Sequence, residues 1–195
     1  MREEKKRLFI ALECPDDVQQ VLAEVASVLA GQMPRGAVRW VRPEQMHLTL
    51  FFLGDTAVSQ IMAVQQVMDN AAAQCVPFLL TLSGVGAFPN KHQPRVIWVG
   101  LTGTDGAMSQ LAQLQAGIAG GVAALGWPQE KRPFRPHLTL GRVKDRRQLQ
   151  GENWGTEVKR VVWPVTAVTL IQSTLTPHGP IYKNLHHSSI HKSQK

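Results

Sequence analysis

Two hydrophobic periodicities run through this chain of 195 residues and predict its secondary structure. Apolar residues recur at helical spacing in three segments, residues 15–31, 56–74 and 107–125. Short apolar runs bounded by glycine, proline and polar residues predict eight strands, residues 8–12, 38–41, 46–53, 78–88, 96–101, 137–143, 161–175 and 181–185. This order indicates an α+β protein whose helices cover its sheets. We place a division between two lobes near residue 100 and expect residues 187–195 to form a frayed polar tail.

One tetrapeptide, His-Leu-Thr-Leu, occurs twice, at residues 47–50 and 137–140. Each copy lies in a predicted strand and is followed by a glycine, Gly54 or Gly141. Because side chains alternate along a strand, the histidine and threonine of each copy share one face, about 6.6 Å apart along the strand. The leucines point the other way, toward a core. Two such strands facing each other would surround one site with two imidazoles and two hydroxyls.

These residue types indicate acid–base chemistry on a phosphate without a metal ion. Histidine titrates near neutral pH, so it can either donate or accept a proton. A threonine hydroxyl can donate a hydrogen bond to a non-bridging phosphate oxygen, where negative charge concentrates in the transition state. The two motifs are almost symmetric, so the residues alone leave open which histidine is the donor.

The net charge of +7 lies entirely in the second half of the chain. Residues 1–97 contain nine basic and nine acidic residues, whereas residues 98–195 contain twelve basic and five acidic residues. Several basic residues lie within ten positions of His137: Lys131, Arg132, Arg135, Arg142, Lys144, Arg146 and Arg147. A basic cluster beside a candidate catalytic strand favours a polyanionic substrate, of which nucleic acid is the commonest. The alternative is a solvated loop that keeps the protein soluble.

The remaining composition points to a cytoplasmic protein. The two cysteines, Cys14 and Cys75, fit neither a metal-binding spacing nor a disulfide framework, which favours a reducing compartment. The apolar run 8–12 is too short for a signal peptide or a membrane span. We therefore expect no membrane association, no cofactor and no obligate protein partner.

The chain resembles the 2H phosphoesterase superfamily, whose signature is two His-x-Thr/Ser-x motifs. Within it, the chain is most similar to the RNA 2′,3′-cyclic phosphodiesterases, long called 2′-5′ RNA ligases. The resemblance covers nearly the whole chain and is carried by residues 7–12, 40, 47–54, 95–100, 134–142, 173–175 and 179–182. It implies a single two-lobed, pseudo-symmetric α+β domain over residues 1–195. In that fold two antiparallel sheets flank a central cleft, and the helices lie outside.

The resemblance also implies an activity and the roles of the motif residues. The reaction is hydrolysis of a terminal ribose 2′,3′-cyclic phosphate of RNA to a 2′-phosphomonoester, without metal or cofactor. His47 is the implied proton donor and His137 the implied proton acceptor. Thr49 and Thr139 would bind the phosphate oxygens.

Other side chains are candidates by position. We expect Arg142, just beyond the second motif, to help neutralise the phosphate, and Tyr182 to line the cleft. Trp40, Phe51 and Phe134 are candidate stacking platforms for bases, with burial in the core as the alternative for each.

Three other functions stay open at this point. The first is RNA ligation, the reverse reaction, which hydrolysis should outcompete in ~55 M water unless RNA ends are held together. The second is a non-catalytic RNA-binding protein that uses the same basic surface. The third is a metalloenzyme built on His47 and His137, although no carboxylate or cysteine stands at a partner spacing such as HExxH.

Overall fold

The computed structural model describes residues 3–149, 154–177 and 179–191. The strands within this part of the chain are β1 (Lys5–Glu13), β2 (Val38–Trp40), β3 (His47–Ala57), β4 (Phe78–Phe88), β5 (Val96–Thr102), β6 (His137–Val143), β7 (Val162–Val165), β8 (Ala167–Thr176) and β9 (Gly179–Ser189). The helices are α1 (Asp16–Gly31), α2 (Ile61–Ala73) and α3 (Asp105–Ala124). Short 3-10 turns occur at Pro43–Gln45, Val58–Gln60 and Arg146–Leu149.

The strands form two antiparallel sheets, in agreement with the predicted α+β architecture. The four-stranded sheet has the order β3-β1-β8-β9, and the five-stranded sheet has the order β2-β6-β5-β4-β7. Each sheet therefore takes strands from both halves of the chain. The expected division near residue 100 does not separate the sheets, because that position lies inside β5.

The predicted strand at 161–175 is two strands that belong to different sheets. β7 pairs with β4 at the edge of the five-stranded sheet, whereas β8 pairs with β1 and β9 in the four-stranded sheet. Pro164, which has no N–H to donate, is compatible with an edge strand such as β7. The chain crosses from one sheet to the other at Thr166, between the two strands.

The second helix begins later than its sequence predicts. Residues 56–57 still belong to β3 and pair with Lys6 and Lys5 of β1, and the turn Val58–Gln60 follows before α2 begins at Ile61. The third helix begins at Asp105, two residues before the predicted start, because the hydroxyl of Thr104 caps it by accepting a hydrogen bond from the Ala107 N–H at 3.2 Å.

The core lies beneath the two motif strands and the helices. All four motif leucines are buried there, Leu48, Leu50, Leu138 and Leu140. Helices α2 and α3 approach closely through a small residue, since a Cβ added at Gly117 would lie 3.3 Å from the Ala71 side chain. Among the described residues, no helix is both long and apolar enough to span a membrane.

The expected frayed tail at residues 187–195 begins too early. Strand β9 continues to Ser189, and Ser188 is buried and donates a hydrogen bond of 2.6 Å to Asp69 of α2. His186 contacts the same carboxylate at 2.8 Å. The sequence 186–189 looks polar because its partners are polar groups on β8 and α2 rather than apolar side chains. Residues 192–195 lie outside the described residues.

Candidate active site

Each motif histidine begins its strand and is fixed in the same way. The Nδ1 atom of His47 lies 2.8 Å from the carbonyl oxygen of Gln45, and the Nδ1 atom of His137 lies 2.7 Å from that of Arg135. A carbonyl oxygen can only accept, so Nδ1 of each ring carries the proton that it donates. Nε2 of each histidine is therefore the atom left to accept or deliver a proton.

The structure brings the two motifs together across the gap between the sheets. Strand β3 is the edge strand of its sheet, and Cα atoms of β3 and β6 come within 8 Å of one another. The positive charge of Arg142 acts on His47, on His137 and on Tyr182. These four predicted site residues thus share one cleft.

Both motif strands contain an irregularity at the same motif position. In the β1–β3 ladder, Ala11 faces Thr49 and Ile10 faces Phe51, so Leu50 has no partner. In the β5–β6 ladder, Trp98 faces Thr139 and Ile97 faces Gly141, so Leu140 has no partner. Each is a β-bulge, in which one extra residue reverses the side-chain alternation beyond it.

The bulges decide which residues reach the cleft after each motif. Without them, Phe51 and Gly141 would lie on the face of the histidines. With them, Phe51 is packed in the core, whereas Phe52 is 65% exposed and its ring lies 6.0 Å from that of Phe9. The expectation that Phe51 lines the cleft is thereby corrected. The same shift turns Arg142 to the face of His137.

Aromatic rings surround both histidines. Phe9 stacks on His47 with ring centroids 4.7 Å apart, and Tyr182 meets the same imidazole edge-on at 5.6 Å. Around His137, the ring of Phe88 stands perpendicular at 4.8 Å and Trp98 lies at 6.3 Å. These rings hold the imidazoles and limit their access to water.

Burial lowers the pKa of each histidine below its usual value. For His47 the hydrogen bond to Gln45 and the carboxylate of Glu13 raise the pKa in opposition, while Arg142 lowers it further. For His137 the hydrogen bond to Arg135 raises the pKa and Arg142 lowers it. The environments therefore differ in one charge, because a carboxylate acts on His47 and no described carboxylate shifts the pKa of His137.

That carboxylate, Glu13, is held in place by the four-stranded sheet. Glu13 faces His47 across the β1–β3 ladder. Its oxygens accept hydrogen bonds from Thr169 at 2.8 Å and from Asn184 at 2.9 Å, and His187 lies 3.9 Å away.

A second contact fixes the turn before His47. The side-chain amide of Gln45 donates a 2.5 Å hydrogen bond to the carbonyl of Pro180, at the start of β9. The residue that holds His47 through its backbone is thus tied to the strand that carries Tyr182.

Two other predicted aromatics contact the core. Phe134 is half-buried against it. Trp40 is also half-buried, and its ring covers Gly141, where an added Cβ would lie 3.0 Å from the ring. Gly141 faces the core, so Trp40 lies on the face of the sheet opposite Arg142. Trp40 is therefore a core residue, which was the alternative to a stacking platform.

The basic cluster near His137 is partly neutralised by neighbouring acids. Arg132 forms a salt bridge of 2.8 Å with Glu130, and Arg147 forms one of 3.0 Å with Asp145. The side chain of Arg146 lies outside the described part of the molecule. Arg142 is exposed and forms no salt bridge with any other described residue.

Five residues that surround the histidines are not predicted as site residues from the sequence: Phe9, Glu13, Gln45, Phe88 and Trp98. Phe9 belongs to an apolar run that is typical of a strand buried on both faces. Its position in the alternation could have indicated a site residue, because polar Arg7 and Glu13 lie on the same face of the strand as Phe9. Trp98 has no such signal, because it packs over Gly86 of a neighbouring strand.

The described residues offer no obvious metal site. No three histidine, cysteine, aspartate or glutamate side chains among them are grouped so that they could hold an ion.

Comparison with known proteins places this chain among phosphoesterases. The family model described as LigT like Phosphoesterase matches residues 12–98 and 103–182. The RNA 2′,3′-cyclic phosphodiesterase of Archaeoglobus fulgidus is 33% identical over 187 residues, covering 92% of this chain and 97% of that protein. The enzyme of the same name from Thermus thermophilus is 33% identical over 187 residues, covering 94% and 90%.

Solved structures give the same assignment. The structure of TT0787 of Thermus thermophilus has a TM-score of 0.77 and 29% identity, with 96% of this chain and 100% of that chain covered. LigT of E. coli complexed with 3′-AMP has a TM-score of 0.78 and 26% identity, with 97% and 100% covered. With both motifs intact and the match extending along most of the sequence, this chain belongs to the LigT-like branch of the 2H phosphoesterases.

Proposed function

We propose that this protein hydrolyses the 2′,3′-cyclic phosphate at the end of an RNA to a 2′-phosphomonoester, without a metal ion. The observation that carries the proposal is the matched pair of histidines. In each, Nδ1 donates a hydrogen bond to a backbone carbonyl and Nε2 is left for proton transfer. The positive charge of Arg142 acts on both rings. The names of the relatives support the substrate.

The reaction needs one proton removed and one supplied. A water molecule attacks phosphorus and forms the new P–O bond, while His137 Nε2 takes its proton. The bond between phosphorus and the 3′-oxygen breaks, and His47 Nε2–H protonates that oxygen. The charge that develops on the non-bridging oxygens is stabilised by Thr49 and Thr139, and Arg142 balances the phosphate charge.

Glu13 supports this orientation of the pair. Its negative charge favours the protonated form of His47, as a donor requires. His137 lacks such a partner among the residues described and is the better candidate for the neutral acceptor. The aromatic rings beside both imidazoles keep bulk water away and so strengthen these charge interactions.

A nucleoside 2′,3′-cyclic phosphate assay with product identification tests the function. We expect the wild type to release the 2′-phosphate, and His47→Ala or His137→Ala to lower turnover by ~10²–10⁴ because each removes a proton-transfer group. The double variant should lose much less than the product of the two losses, since the pair acts as a unit. His92→Ala, an exposed histidine in a loop, is the matched control and should retain normal turnover.

The same assay separates the alternatives. Turnover should be unchanged in EDTA, whereas loss in EDTA with recovery on adding a divalent ion would support a metalloenzyme. Either histidine variant with near-normal turnover would contradict the two-histidine mechanism. A protein that binds RNA but releases no 2′-phosphate would be the non-catalytic alternative.

A further inference from the structure

A pair of arginines lies side by side at the edge of the cleft, and one of them has no part in the mechanism above. In the β2–β6 ladder Arg39 faces Arg142 directly, so their Cα atoms are about 4.5–5.5 Å apart and their side chains share one face. That face is the cleft face, because the bulge in β6 turns Arg142 toward the histidines. Both residues are exposed.

The pair carries unbalanced charge. Like charges placed directly opposite each other on neighbouring strands are destabilising. Neither Arg39 nor Arg142 forms a salt bridge with another residue in the described ranges, so two guanidinium groups face the cleft together. A bound polyanion would supply the missing negative charge.

Arg39 reaches toward the His47 side of the cleft. Its Nη2 atom lies 3.5 Å from the position of a Cβ at Gly179, the first residue of β9. The next residue, Pro180, accepts the hydrogen bond from Gln45 that fixes the turn before His47. Arg39 therefore extends from the five-stranded sheet to the part of the other sheet that positions His47.

The direction of the proposed reaction indicates which part of the substrate would lie near Arg39. In hydrolysis to a 2′-phosphate, the attacking water and the departing 3′-oxygen lie on opposite sides of phosphorus. With His137 on the water side and His47 on the side of the 3′-oxygen, the ribose lies toward His47. A phosphate on the 5′ side of that ribose would then lie farther from the attacking water than the cyclic phosphate does, toward the part of the four-stranded sheet that Arg39 approaches.

From this arrangement we infer that Arg39 forms a second phosphate subsite, which binds the phosphate on the 5′ side of the terminal nucleotide while Arg142 serves the cyclic phosphate. The inference rests on the proposed function and narrows its substrate class. The enzyme would prefer RNA ends, or nucleotides with a 5′-phosphate, to simple nucleoside cyclic phosphates. An exposed guanidinium–phosphate contact of this kind is charge-assisted and can be bidentate.

Three substrates and one substitution test the subsite. The substrates are cytidine 2′,3′-cyclic phosphate, the same compound with a 5′-phosphate, and the dinucleotide ApC ending in a 2′,3′-cyclic phosphate. For Arg39→Gln we expect kcat/KM to fall about tenfold on the two substrates that carry the extra phosphate and less than about twofold on the first. The loss should appear mainly in KM. Arg39→Lys should recover part of the preference.

The control substitution is Arg35→Gln. Arg35 is exposed in the turn before β2, and its removal changes the net charge equally, so it should leave the substrate preference intact. Equal losses on all three substrates for Arg39→Gln, or no loss on any, would overturn the inference. A loss confined to the dinucleotide would also overturn it, since a second base rather than a phosphate would then be recognised.

A binding experiment keeps this inference separate from the proposed function. Arg39→Gln should weaken binding of cytidine 2′,5′-bisphosphate about tenfold and of cytidine 2′-phosphate little. Because the lost contact is electrostatic, binding of the bisphosphate to the variant should also depend less on salt concentration than binding to the wild type does. A wild type that hydrolyses none of the three substrates would refute the proposed function, whereas equal binding losses for both ligands would refute the subsite.

Discussion

At the scale of residues, the feature that distinguishes two identical motifs is a carboxylate. Both histidines donate from Nδ1 to a backbone carbonyl two residues earlier, and both are packed against aromatic rings. Glu13 stands opposite His47 and has no described counterpart beside His137. Burial lowers the pKa of both rings, and this carboxylate is the charged group that opposes the effect at His47 alone.

We expect Glu13→Gln to change the pH dependence of kcat/KM on one side only. Glu13 raises the pKa of His47, so its neutralisation lowers that pKa. At alkaline pH the rate is limited by the protonated fraction of the donor and should fall. At acidic pH it is limited by the neutral fraction of His137 and should not change. A pH–rate profile of the variant and the wild type measures both limbs.

Other groups around His47 give this measurement its controls. Arg142 faces His47 from β6 and lowers its pKa, while Tyr182 faces it from β9. Because Arg142 also lowers the pKa of His137, its removal should shift both limbs. Glu44→Gln makes the same charge change as Glu13→Gln at an exposed turn residue that pairs with Arg42 and should leave the profile unaltered. A uniform loss for Glu13→Gln at every pH would indicate that Glu13 only stabilises the sheet.

At the scale of elements, the bulge in each motif strand selects the side chain that enters the cleft beyond the histidine and threonine. Past the bulge, β3 presents Phe52 and β6 presents Arg142, so the two halves differ at the equivalent position. Gly141, the residue after the bulge in β6, has no room for a side chain, because an added Cβ would lie 2.6 Å from the Val38 side chain and 3.0 Å from the ring of Trp40. The close packing of β2 on β6 thus depends on a residue without a side chain.

We therefore expect Gly141→Ala to destabilise the protein by about 1–3 kcal/mol, as overpacking a core does. It should also lower turnover, since Arg142 is the next residue and β2 must move. Urea unfolding gives the first quantity and the cyclic phosphate assay the second.

Gly120→Ala is the matched control for this substitution. Gly120 lies in α3 with nothing within 4 Å of an added Cβ, so alanine there should stabilise by about 0.5–1 kcal/mol through helix propensity. A Gly141→Ala variant as stable as the wild type would contradict the prediction, because β2 would then have shifted to accommodate the methyl group at no cost in stability.

Sequence reasoning reaches the motifs but not these bulges. Alternation identifies the strands and places His47 with Thr49 and His137 with Thr139 on one face, because the irregularity begins only at the fourth motif residue. The prediction for Phe51 is wrong because it continues the period-two alternation past the bulge, where the alternation reverses. The positions of Glu13 and Trp98 in the site depend on which strands pair. Pairing between distant strands produces no periodic pattern in the sequence, so it cannot be predicted from the hydrophobic alternation.

At the scale of the whole molecule, the two sheets are interleaved. The four-stranded sheet combines β1 and β3 with β8 and β9, and the five-stranded sheet combines β2 and β4 with β5, β6 and β7. Neither sheet can be complete without the other half of the sequence. The site has the same property, since His47 belongs to one sheet and His137 to the other.

We expect this interleaving to make unfolding a single cooperative transition. Three of the five tryptophans, Trp40, Trp98 and Trp163, lie on the five-stranded sheet, so fluorescence is weighted toward that sheet, whereas far-UV circular dichroism reports on both. The two signals should give the same urea midpoint. Two separated midpoints, reproducible at different protein concentrations, would mean that the lobes are independent.

The late position of β8 and β9 also sets the timing of assembly during synthesis. Translation is slow compared with the closure of a local strand pair, so β1 and β3 are available long before their sheet can be finished. β8 must emerge before it can pair with β1, and β9 brings Tyr182 to His47 and Asn184 to Glu13. A nascent chain thus carries both histidines well before the surroundings that give them different roles. On the ribosome, catalytic competence would arrive among the last steps, with the strand that bears Tyr182.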